Sequence, residues 1–121
     1  MMEVIEDLPD GVVGIASKGR ITKADYEKIV IPTIEEALKT HKKISLLFHL
    51  ENLEGMDLGA MWDDASFGLK HWSDFDRIAF VSDIEWVTGM TAFFGAMIPA
   101  EVKTFKESDT EAARLWVCTG K

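Results

Sequence analysis

Two short apolar runs, "ISLLFHLE" at residues 44–51 and "RIAFV" at residues 77–81, are separated by a stretch with helical spacing. This alternation decides the fold class. Strands that alternate with helices must be joined by crossovers, and such crossovers give parallel strands of right-handed connection. In the first run Ile44, Leu46, Phe48 and Leu50 point one way, while Ser45, Leu47, His49 and Glu51 point the other. That second face is half polar, so helices are expected mainly on one side of this strand. The run "RIAFV" is of the kind buried on both faces.

The rest of the chain fits around this centre. "MEVIEDL" and "GVVGIASKGRI" read as strands joined by the turn signal "LPDGV", in which Pro9 presets φ, Asp10 can bond its own backbone and Gly11 tolerates unusual dihedrals. Thr22 opens a helix with Asp25 at the capping-box position, and Tyr26, Ile29, Val30, Ile34, Ala37 and Leu38 recur at helical spacing. Pro32 falls inside this run and should kink or split it. Lys39, His41, Lys42 and Lys43 close the helix at the negative end of its dipole. A second helix is expected from about residue 57 to 72, with Leu58, Met61, Trp62, Ala65, Leu69 and Trp72 on one stripe. A third is expected after Ser82 or Asp83, ending at Pro99. "VKTFK" reads as the last strand, and Ser108 with Glu111 as the capping box of a final helix through Ala112, Leu115 and Trp116. The order is ββαβαβαβα, an α/β fold with a single mixed five-stranded sheet whose first strand is an antiparallel addition. With no repeats, linkers or low-complexity runs, residues 1–121 are expected to form one domain.

Charge and cysteine usage narrow the function. A formal net charge of −8 repels phosphate backbones, so no nucleic-acid partner is expected. The lone Cys118 can form no intrachain disulfide and no cysteine zinc site, which fits a cytoplasmic setting. The acidic N-terminus does not read as a signal peptide.

Several local patterns together cover most of the chain: Pro32 inside the helix after Tyr26, "KKISLLF" entering the third strand, "MWDDASFGLKHWSDFDRIAFVSDIEW", and the terminal "AARLWV". In these the chain resembles the SpoIIAA-like family, relatives of the STAS domain. The resemblance implies a small α/β domain without established catalysis. It also implies, through the comparison of such domains with CRAL-TRIO lipid-binding domains, membrane association and apolar ligands. One departure matters. The SpoIIAA pattern has a phosphorylatable serine in a "DSSG"-type loop, whereas "EGMDLGAMW" puts Leu58 and Gly59 there, neither with a hydroxyl. The phospho-switch therefore does not carry over.

The segment "WVTGMTAFFGAMIPA", residues 86–100, has no charged side chain. As a helix it would extend about 22 Å, short of a roughly 30 Å hydrocarbon core. A core helix, a lipid contact and a subunit interface all remain open. A helix on one side of a sheet needs one apolar stripe, and Trp86, Met90, Phe93 and Met97 supply it. Val87, Phe94 and Ile98 extend the apolar surface further round, with no charged face for solvent. Trp86, Met90, Phe93, Phe94, Met97 and Trp62 are therefore the candidate ligand-binding residues. The expected function is non-enzymatic binding of an apolar or lipid-like ligand, or peripheral attachment to a membrane. The alternative is a regulatory protein-interaction module, and a homodimer is expected in either case; a small hydrolase ranks third. No cofactor, metal or catalytic residue is assigned. Asp63 and Asp64 are adjacent and diverge by about 100° on a helix, and His71 adds no third ligand. His49 and Glu51 share a strand face and could act as an acid–base pair, although polar residues on an open sheet face read as well. Arg114 lies one turn before Cys118 on the last helix and could act on its thiol, although an inert thiol is the reading expected there.

Overall fold

Pro9, Asp10 and Gly11 turn the chain back on itself. The Val12 N–H donates to the Pro9 carbonyl at 3.1 Å, closing a four-residue turn. Gly11 takes φ +84°, where a side chain would be strained. In the computed structural model, which describes residues 2–56, 74–83 and 100–120 (backbone only at 52, 53, 55 and 56), this turn joins β1 (Met2–Ile5) to β2 (Val12–Ile21). The two strands pair antiparallel, with Met2 opposite Ser17 and Ile5 opposite Gly14. β1 stops earlier than the sequence pattern suggests, because Leu8 folds back over Gly14. A Cβ at Gly14 would lie 2.5 Å from Leu8 Cδ1 and 2.9 Å from Ile5 Cβ.

The helix after β2 starts as its local signal requires. Thr22 Oγ1 accepts from the Asp25 N–H, and the Asp25 carboxylate accepts from the Thr22 N–H, each at 3.1 Å. The helical stretch then has three parts: α1 (Lys23–Asp25), a π-helical turn (Tyr26–Val30) and α2 (Ile31–Leu38). Pro32 explains the middle part. It lacks an N–H, and its ring crowds the carbonyl four residues earlier. The Ile31 N–H reaches back to the Tyr26 carbonyl, five residues away, so the widened turn lets Pro32 sit in the first turn of α2. The expected break at Pro32 is thus a π-turn. Tyr26, Val30 and Ile34 stay on one buried stripe through it.

β3 (Ile44–Met56), β4 (Phe75–Val81) and β5 (Glu101–Phe105) complete a sheet of order β1-β2-β3-β4-β5, in which β2 to β5 are mutually parallel. A 3₁₀ turn (Glu107–Asp109) leads into α3 (Thr110–Thr119). The expected Ser108 cap is displaced: Asp109 is the N-cap residue and makes no side-chain cap bond. The orphan N–H of Glu107 is instead taken by the carboxylate of Asp83, 24 residues away, at 2.9 Å. At the other end Gly120 donates to the Trp116 carbonyl at 2.7 Å.

The sheet has a core on each face. On one, Val13, Ile15, Leu46, Phe48, Leu50 and Ile78 pack under Tyr26, Val30 and Ile34. On the other, Leu47, Ala79 and Val81 pack under Ala113, Trp116 and Val117. The alternation read for β3 therefore holds, and its half-polar face is not bare: Leu47 is 1% exposed beneath α3. β4 is buried on both faces, as its apolar run implies. The helices expected at about 57–72 and 83–98 lie outside the described residues.

Gly14→Ala should cost about 1–3 kcal/mol, because Ile5 Cβ belongs to the paired strand and cannot swing aside. Urea unfolding of the two proteins measures the loss. Truncating Leu8 in the same chain should recover part of it.

Candidate functional site

The candidate residues Trp62, Trp86, Met90, Phe93, Phe94 and Met97 lie outside the described residues, as do Asp63, Asp64 and His71. What is described is the frame on either side of the uncharged segment. Residues 84–99 join the end of β4 to the start of β5, its parallel neighbour, with Arg77 opposite Glu101 and Val81 opposite Phe105. Both flanks are tied down. The Ser82 N–H donates to the Phe105 carbonyl at 2.9 Å, continuing the ladder one step past β4. Asp83 holds the Glu107 N–H. Ala100 is buried in the core that contains Ile44, Phe75 and Ile78. Beside it, Phe80 and Val102 are only partly buried on the face of α1 and α2, and Phe80 stacks on Phe48 with ring centroids 6.1 Å apart.

His49 and Glu51 do not come together as an acid–base pair on the other face. Glu51 is exposed. The carboxylate across from His49 is that of Glu107, with Oε1 3.6 Å from Nε2. That is too long for a hydrogen bond, and Nε2 is buried without a partner among the described residues. The pair can attract electrostatically when the imidazole is protonated. Ser82, the hydroxyl residue next along from Val81, is 5% exposed and so poorly placed to meet a substrate.

The remaining sequence candidates fall into structural roles. Trp116 is core: it is 4% exposed, its ring centroid lies 6.0 Å from that of Phe105, and Lys103 Nζ sits 5.0 Å over its face. Arg114 donates to the Asp7 carboxylate at 3.0 Å, which ties α3 to the loop after β1 and turns the guanidinium to an acid rather than to Cys118. Arg77 Nε donates to the Val117 carbonyl at 3.2 Å, placing a cation at the C-terminal end of α3 where the helix dipole favours it. Among the described residues no group of three or more His, Cys, Asp or Glu side chains could hold a metal ion, and no helix is long and apolar enough to cross a membrane. Sequence reasoning missed the Asp83–Glu107 and Arg77–Val117 ties, since a contact across 24 or 40 residues leaves no periodic mark.

These elements define an open α/β domain: a parallel four-stranded run with one antiparallel strand at its edge and helical cover on both faces. The chain belongs to the SpoIIAA-like family, whose model matches residues 12–118. It is similar in structure to an uncharacterized protein of the DUF3478 family with a SpoIIAA-like fold from Shewanella loihica PV-4, at 30% sequence identity and a TM-score of 0.79, over 98% of this chain and 93% of that one. No curated protein matches the sequence.

Asp83→Ala should loosen the junction between β4 and α3. The expected cost is about 1 kcal/mol, the net worth of one hydrogen bond. Amide exchange should quicken at Glu107 while Ser82, bonded to Phe105, keeps its protection. Native-state hydrogen exchange on both proteins reads this directly.

Proposed function

We propose that the protein is a non-enzymatic binding domain that takes an apolar or lipid-like ligand, or a membrane surface, through the uncharged segment at residues 86–98. The observation that carries this reading is the combination of an uncharged connection with two firmly tied flanks between neighbouring parallel strands. The strand order never reverses along the sheet, so a right-handed crossover from β4 to β5 would pass over the face that α1 and α2 cover. There Trp86, Met90, Phe93 and Met97 would supply the stripe facing the partly buried Phe80 and Val102. Val87, Phe94 and Ile98 would be left without a charged face between them and water. Leaving these three large apolar side chains in water costs roughly 6 kcal/mol, within the range of a whole domain's stability, so this surface needs a cover. Trp62 is a further contact in this reading. Membership of the SpoIIAA-like family supports a binding role over a catalytic one. In the second reading the cover is a protein, a regulatory partner or a second copy in a two-fold dimer.

Single substitutions Phe93→Asp and Phe94→Asp separate these readings. The two positions differ by about 100° around a helix, so at most one faces the sheet squarely. A carboxylate at Phe93 should unfold the domain, because burying it costs several kcal/mol. Phe94→Asp should fold, and should lose the flotation of the wild type with uncharged phosphatidylcholine liposomes. Circular dichroism reports folding, and sedimentation at micromolar concentration is expected to show a dimer. If both variants unfold, the segment is ordinary core. If both fold with flotation unchanged, the protein-interaction reading replaces the lipid one.

A further inference from the structure

We propose that a groove between β1 and α2 receives an extended basic peptide segment, which adds as a new strand to the free edge of the sheet. The site is separate from the uncharged segment. β1 ends the strand order, and among the described residues nothing pairs with its outer edge, so its outward N–H and C=O groups are available to a further strand. Beside that edge lies an open groove of about 400 Å³ between the hairpin and the last turns of α2. Its floor on the α2 side is apolar, formed by Val4, Val13 and Ala37. Val4 is 39% exposed, unusual for a large aliphatic side chain on a strand whose neighbour Met2 is 6% exposed.

Charge identifies the occupant. Among the described residues the groove is lined by two acidic residues, Glu6 and Glu36, and by no lysine or arginine. Glu36 is held at 3.1 Å by Lys39, but both side chains are more than two-thirds exposed, at 75% and 71%, and such a pair exchanges at little cost. Glu3 lies outside the groove, in a separate hollow with Lys18. A second copy of this chain would bring its own Glu6 against Glu6 and Glu36, and like charges brought together are destabilising. A basic strand meets the opposite situation. Its side chains alternate, so every second residue points to the α2 side, where a lysine or arginine can lay its apolar stem on the floor and reach Glu6 or Glu36 with its charged end. An edge strand beside a helix is the arrangement in which strand addition gives affinity through the main chain and specificity through alternate side chains.

The test uses the isotopically labelled full chain and a short capped peptide that alternates lysine with valine. Amide shifts are expected at Met2–Glu6 and along residues 33–40, saturable and weakened by salt. A glutamate–valine peptide should cause none. Reversing charge with Glu6→Lys and Glu36→Lys together should weaken binding about tenfold, with the circular dichroism spectrum unchanged. A third peptide, N-methylated on alternate residues, keeps the charge but loses one edge of hydrogen bonds, and should not bind. Equal binding of that peptide would show charge attraction without strand addition and overturn the proposal. So would shifts confined to other residues, no saturation at millimolar peptide, or shifts at β1 that follow protein concentration alone, which would make the occupant a second copy.

Discussion

The structure hangs on one strand that is buried twice. β3 lies in the middle of the sheet, paired with β2 on one side and β4 on the other, and its side chains alternate between two cores. Leu46 and Leu47 are neighbours in the chain, yet one packs beneath α1 and α2 and the other beneath α3. A slip of one residue in its pairing would exchange Ile44, Leu46, Phe48 and Leu50 for Ser45, Leu47, His49 and Glu51 on the larger core. This cost fixes the register of β3, and through it that of every other strand. It also explains the unequal character of the two faces. The first holds the branched and aromatic side chains. The second takes the smaller set around Leu47, Ala79 and Val81, closed by the ring of Trp116 with Phe105 against it.

Features that the sequence announced are those whose partners lie close in the chain. The Thr22–Asp25 box, the Pro9–Gly11 turn and the alternation of β3 each need only a few consecutive residues, and each is present. Signals of position carried less about form. Pro32 marked a break in the helix, but only the packing of Tyr26, Val30 and Ile34 on one stripe selects a widened turn over a bend. The end of β1 at Ile5 depends on Leu8 finding Gly14 on the next strand. The 3₁₀ turn that leads into α3 is held at Glu107 by Asp83 from another loop, and Ser108 falls inside that turn, so the Ser108 cap that local pattern favoured is not used. The groove beside β1 had no sequence signature, because its walls come from a strand and a helix separated in the chain. The candidate residues from Trp86 to Met97 were conspicuous because their segment lacks charge. An uncharged helical surface asks for an apolar cover, which the domain's own core, a ligand or a partner would each supply.

The two proposed surfaces answer to different physics. The uncharged segment would work by area, with little discrimination among apolar partners, as fits a lipid or a lipid-like ligand. The groove beside β1 would work by hydrogen-bond register and by charge, which discriminate strongly and depend on ionic strength. A domain with no assigned catalytic residue and a net charge of −8 can in this way carry a general adhesive surface and a selective one without the two interfering.

The strands lie side by side in the order in which they occur in the chain. As the polypeptide leaves the ribosome, each new strand can therefore dock on the edge of what has already formed, without waiting for a distant segment and without being threaded between earlier ones. Loop closures stay short, so the entropic barrier to each addition stays small. The second face is the exception. Among the described residues, Leu47, Ala79 and Val81 have no helix over them until Trp116 and Val117 emerge, so during synthesis the nascent sheet presents a greasy flank that α3 later hides. Chaperone demand should fall on that interval, when the sheet is complete and its last helix is still inside the exit tunnel.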